Sequence, residues 1–303
     1  MTNSQLALYL LQSLNMALGS QIEGETSYTN SFDVKVQEDG FLFLPRMPSG
    51  YIIDNDLYFK IFLIANACLY PRYTLLKQNS AYFIPINTDD IHTQRGLFFP
   101  WKVGISKRLV INDLDFFVAS QHKPYIPIME NLKLNYDNVT SIAIAGNSGS
   151  GKSYTLTYFL SMLKPLSDLI IIDPKFDTPS RWARENKIPV IHPERNRSKS
   201  DFVAEINESL SQTLNIIYKR QEILYDNPRH PFSHLTIVID EVLALSEGTN
   251  KNIKDSFFSL ISQIALLGRA TKVHLLLVSQ RFDYQSIPVS VREQLNVLIQ
   301  IGN

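Results

Sequence analysis

Along the chain, the spacing of apolar positions changes character twice. Residues 4–18 put their leucines, with Met16 and Ala17, on one side of a helix, and Gly19 with the polar stretch behind it ends the pattern. That stripe carries no Lys or Arg to hold anionic lipid, so it belongs to a core or a partner surface rather than to a bilayer. From Ser31 to Ile128 the text is rich in aromatic and β-branched residues punctuated by Pro and Gly, as in Phe41-Leu42-Phe43-Leu44 and Tyr82-Phe83-Ile84-Pro85-Ile86. Such text predicts a mixed α and β accessory region of short strands, and it contains neither a chemical motif nor an internal repeat.

Near Pro127 the rhythm shifts. Uninterrupted apolar runs at Ile142–Ala145, Leu169–Ile172, Leu235–Ile239, Val273–Val278 and Val297–Ile301 alternate with helical stretches. Strands without polar alternation are buried on both faces, which requires a parallel sheet covered by helices. The expected fold is α/β, with an accessory domain over residues 1–125 and a mostly parallel core over 126–303.

Composition narrows the classes. With 303 residues and 45% hydrophobic side chains the chain can build a core in each part. Its 29 basic and 29 acidic side chains cancel, so any nucleic-acid contact must be local rather than a global field. The lone Cys68 cannot form an internal disulfide, and no Cys/His cluster has metal-ligand spacing, which fits a reducing cytoplasm without structural zinc. No basic leader precedes an apolar run at the N-terminus. The most apolar stretch, Leu57–Tyr70, is interrupted by Lys60 and falls short of the roughly 20 residues of a membrane helix.

The strongest chemical signal is Gly146-Asn147-Ser148-Gly149-Ser150-Gly151-Lys152-Ser153, which satisfies G-x-x-x-x-G-K-S between an expected strand and an expected helix. Its glycines let successive N–H groups turn toward phosphates at a helix N-terminus, and Tyr154 continues that first turn. Lys152 is expected to neutralise the β- and γ-phosphates of ATP, and the Ser153 hydroxyl to bind Mg2+. A flexible Gly/Ser linker would need neither the buried strand before it nor the Lys-Ser pair at its end.

The second signal is Leu235-Thr236-Ile237-Val238-Ile239-Asp240-Glu241, a strand ending in two adjacent carboxylates. Asp240 at the carboxyl end of a parallel strand is expected to hold the magnesium shell, and Glu241 to act as general base on the attacking water. Acidic residues are also favoured at helix starts. The phosphate loop upstream tips the balance toward hydrolytic chemistry.

Four stretches in order resemble the FtsK/SpoIIIE family of DNA-translocating ATPases, within the wider HerA-FtsK clade. They are the phosphate loop, Ile172-Asp173-Pro174-Lys175, Val238-Ile239-Asp240-Glu241, and Leu267-Gly268-Arg269-Ala270-Thr271-Lys272-Val273-His274 running on to Ser279-Gln280-Arg281. The resemblance covers roughly residues 126–303. It implies a RecA-like P-loop core assembling into a homo-oligomeric ring, usually a hexamer, with double-stranded DNA through the pore. It further implies Asp173 and Lys175 near the nucleotide, Gln280 as a polar sensor of the γ-phosphate, and Arg269 as an arginine finger reaching a neighbouring subunit's nucleotide. Read without the family, Arg269 complements a helix end and Gln280 satisfies a strand edge. The sequence departs from the family in having no membrane anchor before the core and no winged-helix domain after it. It also stops at Asn303, where the family's core continues, which fits a truncated or reduced relative.

Between Lys175 and Lys199 seven basic residues, among them Arg181, Arg184, Arg195 and Arg197, face three acidic ones. Such an excess can track DNA phosphates independently of sequence, or simply form a solvated surface. Loops 282–288 and 248–254 are further candidates for a pore. Three classes stay open: a DNA translocase or conjugative coupling ATPase, with a relaxase, recombinase or secretion channel as partner and peripheral membrane association through it; a type VII-like protein-secretion motor; and a binding module switched by ATP.

Overall fold

The structure is a computed structural model, and it describes residues 2–19, 31–48, 52–78, 83–105, 107–246, 248–282 and 287–302. The polar stretch behind Gly19, the start of the Tyr82–Ile86 run and residues 283–286 of the 282–288 loop lie outside the described residues. The chain divides into two compact units. The first comprises residues 1–108 with 129–131, and the second 109–128 with 132–303. The unit that carries the phosphate loop includes residues from Leu109 onward.

In the first unit, helix α1 (Asn3–Gly19) precedes strands β1 (Phe32–Val36) and β2 (Gly40–Pro45), helix α2 (Asn55–Leu69), and strands β3 (Tyr73–Leu75), β4 (Phe83–Pro85) and β5 (Arg95–Val103). The strands form an antiparallel sheet in the order β1-β2-β5-β3, with β4 also on β5. Leu6, Leu10 and Leu14 of α1 are buried at a spacing of four, as a core-facing stripe requires. The apolar 57–70 stretch is α2, capped by Asp54 accepting from Leu57 N at 2.9 Å and burying Tyr58, Ile61, Ala65 and Leu69. Phe99 stacks between Phe41 and Tyr58, with ring centroids 4.7 and 4.4 Å away, so aromatic contacts build this core. Among the described residues no helix is long and apolar enough to cross a membrane.

The second unit opens with α3 (Leu114–Ser120), β6 (Tyr125–Met129) and β7 (Leu132–Asn135). It continues with β8 (Ser141–Gly146), α4 (Lys152–Leu163), β9 (Ser167–Ile172), α5 (Thr178–Glu185), β10 (Val190–Ile191) and α6 (Lys199–Asp226). Last come β11 (His234–Ile239), α7 (Val242–Ser246), α8 (Lys251–Leu267), β12 (Val273–Ser279), α9 (Val289–Arg292) and β13 (Val297–Ile301). Six strands form one sheet in the order β10-β9-β11-β12-β8-β13, all neighbours parallel. Each of the five apolar runs read from the sequence is one of these strands.

Alternation explains how the sheet holds two helical layers. Ile237, Ile239, Leu275 and Leu277 enter the core shared with α6 and α8, whereas Val238, Leu276, Val278, Ile142 and Ile144 enter the core shared with α4. Truncating a fully buried centre such as Leu276 to Ala would cost about 2–5 kcal/mol. For the site, the decisive feature is that β12 is inserted between β8 and β11. Crossovers therefore leave both faces of the sheet around β8, and a crevice opens at the strands' carboxyl ends.

Candidate nucleotide site

Register aligns the candidate residues along one sheet edge. Ile239 pairs with Ile172 on one side and Leu277 on the other, and Ser279 pairs with Ala145. Gly146, the last residue of β8, and Asp173, Asp240 and Gln280, which follow β9, β11 and β12, consequently all lie at the same carboxyl edge. A cavity of about 550 Å³ there is lined by Asn147, Lys175, Glu241, Gln280 and Arg281.

The loop after β8 has the form that phosphate binding needs. Gly149 and Gly151 take φ of +78° and +98°, a left-handed backbone that suits glycine, and Gly151 caps α4 without a side-chain hydrogen bond. Gly146 is required for space: a Cβ there would stand 2.5 Å from Ser150 Oγ and 2.7 Å from the Ile301 carbonyl oxygen. Asn147 and Ser148 are exposed, as are Ser153 and Tyr154 on the first turn of α4, Tyr154 at 86%. Lys152 folds back and donates from Nζ to the carbonyl oxygens of Gly146 (2.6 Å) and Asn147 (2.8 Å). Ser150 Oγ and, at the end of β12, Ser279 Oγ are buried with no hydrogen-bond partner among the described residues. An unsatisfied buried hydroxyl at a concave edge is a functional signal that pattern reading of the S-Q-R segment passed over.

The acid pair is asymmetric. Burial first, then the charges of Asp173 and Glu241, raise Asp240 from 3.8 to about 6, with Lys175 acting against them. Glu241 is 5% exposed, sits at φ +49°, and its Oε2 accepts from Lys175 Nζ at 2.7 Å. Burial draws the Lys175 ammonium down, but the Glu241 hydrogen bond and the charges of Glu241, Asp240 and Asp173 outweigh it and hold its pKa above the usual lysine value. No group of three or more His, Cys, Asp or Glu able to hold a metal occurs among the described residues. The acid-rich surroundings of Asp240 nevertheless suit a magnesium ion that takes the rest of its shell from phosphate and water, the usual mode for this cation. Ser153 and Asp240 are the residues that would hold it.

Asp173 does not line the cavity. Its side chain is fully enclosed, and its carboxylate accepts from Lys175 N (3.0 Å), Asp177 N (2.8 Å), Ser180 N (3.2 Å) and Ser180 Oγ (2.6 Å). It therefore ties down the start of α5 and the turn before it. Lys175 does line the cavity, but its ammonium is engaged by Glu241. Arg269 is exposed just before β12, at the amino edge of the sheet. Seven strand residues at about 3.3 Å each separate it from Gln280, so it cannot reach the loop of its own chain.

The same amino edge holds an unexpected polar cluster. His274 Nδ1 faces the Thr140 carbonyl oxygen at 3.3 Å and must carry a proton there, while its Nε2 meets His234 Nδ1 at 2.8 Å and His234 Nε2 lies 3.1 Å from Asp137. Burial, then the neighbouring His234, lowers the His274 pKa to about 4. The histidine of the fourth motif is thus buried structure, a full strand from the cavity.

No protein-family model matches the chain. The FtsK domain-containing protein YdcQ of Bacillus subtilis (strain 168) is 25% identical over 186 residues, which cover 58% of this chain and 37% of that protein. The chain therefore spans well under half the length of that relative. Among solved structures, the conjugation coupling protein TcpA of pCW3, in monomer form with ATPgS, superposes over 98% of this chain and 82% of its own with a TM-score of 0.52 at 17% identity. The cytoplasmic domain of the type VII secretion ATPase EccC of Thermomonospora curvata covers 56% of this chain and 21% of its own, with a TM-score of 0.45 at 16% identity. The second unit thus has the fold of a P-loop ATPase domain, and its sequence is similar to that of an FtsK domain-containing protein.

Proposed function

We propose that this chain hydrolyses ATP with magnesium and uses the energy to move or couple double-stranded DNA, working as one subunit of a ring. The observation that carries this reading is the single crevice lined by Asn147 of the phosphate loop, Glu241 and Gln280. Lys152 exchanges its two carbonyl contacts for the β- and γ-phosphates when nucleotide enters. The Ser153 hydroxyl and the Asp240 carboxylate would hold the metal, which supplies charge neutralisation on the phosphates. Glu241 takes the proton of the attacking water, and Gln280 hydrogen-bonds near the terminal phosphate. Arg269, remote from its own loop, serves the nucleotide of a neighbour. Hydrolysis then depends on ring contact.

Duplex DNA is the favoured substrate because YdcQ is an FtsK domain-containing protein and TcpA a conjugation coupling protein. Exposed Arg184, Lys187 and Arg195 supply local positive charge for such a contact. The first unit serves assembly or partner binding, with a relaxase, recombinase or secretion channel as the class of partner, in the cytoplasm or at the membrane through that partner. The test is steady-state ATPase with and without linear duplex DNA at low salt. Stimulation that fades as salt rises supports the reading; a rate untouched by DNA but raised by a peptide substrate assigns the motor to protein secretion instead.

A further inference from the structure

The candidate base is not free. Glu241 is enclosed, with its side chain 6% exposed, and Oε2 is held by the ammonium of Lys175, whose side chain is 49% exposed. A carboxylate must offer a lone pair to water in order to take its proton, and an ammonium at 2.7 Å occupies such a position on Oε2. Of the two partners only Lys175 can leave, because it has solvent to enter and Glu241 has none.

The turn that bears Lys175 looks built to set this contact. Asp173 accepts the backbone N–H of Lys175 and of Asp177, which pins the turn between β9 and α5. Between them Phe176 takes φ +52°, and its ring, 60% exposed, rests on His192 with centroids 4.1 Å apart. Glu241 stands at φ +49° across the crevice. Two non-glycine residues in the left-handed region, one on each side of an ion pair, put backbone strain at the contact itself, where functional sites tend to store it.

Resting on the assignment of Glu241 as base, we propose that Lys175 masks Glu241 in the resting subunit, and that a polyanion engaging the exposed β9–α5 turn draws the ammonium away and licenses hydrolysis. The segment from Lys175 to Lys199 carries the excess of basic residues that such a polyanion would meet first. Lys175 is therefore a gating residue that acts through Glu241 rather than a nucleotide ligand. DNA phosphates are the polyanion that releases it.

The experiment compares kcat and KM for ATP in wild type, Lys175→Met and Lys175→Arg, each with and without linear duplex DNA, alongside thermal melts. Lys175→Met should raise kcat without DNA about fivefold, the factor expected of a half-exposed ion pair, and lose most of its DNA stimulation with little change in KM. Lys175→Arg keeps a cation and should remain stimulated by DNA. A Lys175→Met protein that melts normally yet turns over no faster than wild type without DNA overturns the mask and leaves a structural staple. A rise in KM with DNA stimulation intact also overturns it, making Lys175 a phosphate ligand. If wild type neither binds nor hydrolyses ATP under any condition, the ATPase reading itself fails and the mask with it.

Discussion

Replacing Asp240 by Asn tests the electrostatics of the site without reference to any ligand. Asp240 lies in a partly buried position at the end of β11, where burial and the nearby Asp173 and Glu241 raise its pKa from 3.8 to about 6. A carboxyl that holds its proton more tightly in the folded protein than in the unfolded chain destabilises the fold whenever it is ionised. That cost is absent below pH 3.8, grows as pH rises through about 6, and is constant above it. At about 1.36 kcal/mol per pH unit, the gap between 3.8 and about 6 corresponds to about 3 kcal/mol. Asn keeps the shape and drops the charge, so Asp240→Asn should be about 3 kcal/mol more stable than wild type at pH 8 and nearly equal to it near pH 4. Urea melts of both proteins at the two pH values measure this directly, with equal m-values as the check on two-state comparison. The same variant should lose hydrolysis, since magnesium needs the charge. Equal stability at pH 8, or a gap that widens toward acid, would refute the placement of an ionised Asp240 in an acid-rich, desolvated edge.

Three further outcomes follow from named groups. Glu241→Gln should bind ATP in an equilibrium assay yet lower kcat by about 10²–10⁴-fold, whereas Lys152→Ala should lose ATP binding; normal turnover in the Glu241 variant removes it as base. Arg269→Ala subunits mixed with Lys152→Ala subunits should recover part of the lost ATPase, because an intact finger from one can serve an intact loop of the other, and failure of every mixture to recover activity leaves Arg269 as a helix-end charge. His274 is buried neutral with its pKa near 4 against 6.5 unfolded, so wild type should lose stability as pH falls from about 6.5 through 4, by up to about 3 kcal/mol. His274→Asn, with a single donor for the Thr140 carbonyl, should be weaker at pH 8 but show a shallower acid slope in the same melts.

The parallel core was legible because its information is local. Runs such as Ile142–Ala145 and Val273–Val278 are buried on both faces, so each strand announces itself without reference to its neighbours, and the glycines of the loop specify backbone angles in place. What escaped was set by contacts remote in sequence. The Lys175–Glu241 pair joins residues 66 positions apart, and the His234–His274 contact joins residues 40 apart. Two-residue β10 is too short for any periodicity, and the start of the second unit at Leu109 depends on packing rather than on a change in composition.

Asp173 is the instructive case, since its surroundings did carry a signal. The text Asp173-Pro174-Lys175-Phe176-Asp177-Thr178-Pro179-Ser180 opens a helix with Pro in its first turn and a hydroxyl at Ser180. An acid seven residues ahead of that hydroxyl is within reach of the helix's first amides, and Asp173 Oδ2 accepts there while Oδ1 accepts from Lys175 N in the turn. The family resemblance places the acid near the nucleotide, and in the fold its carboxylate holds the turn before α5 and that helix's first amides. By fixing the turn, Asp173 fixes where the ammonium of Lys175 can stand, and so whether the Glu241 carboxylate across the crevice, the proposed base, is covered or open.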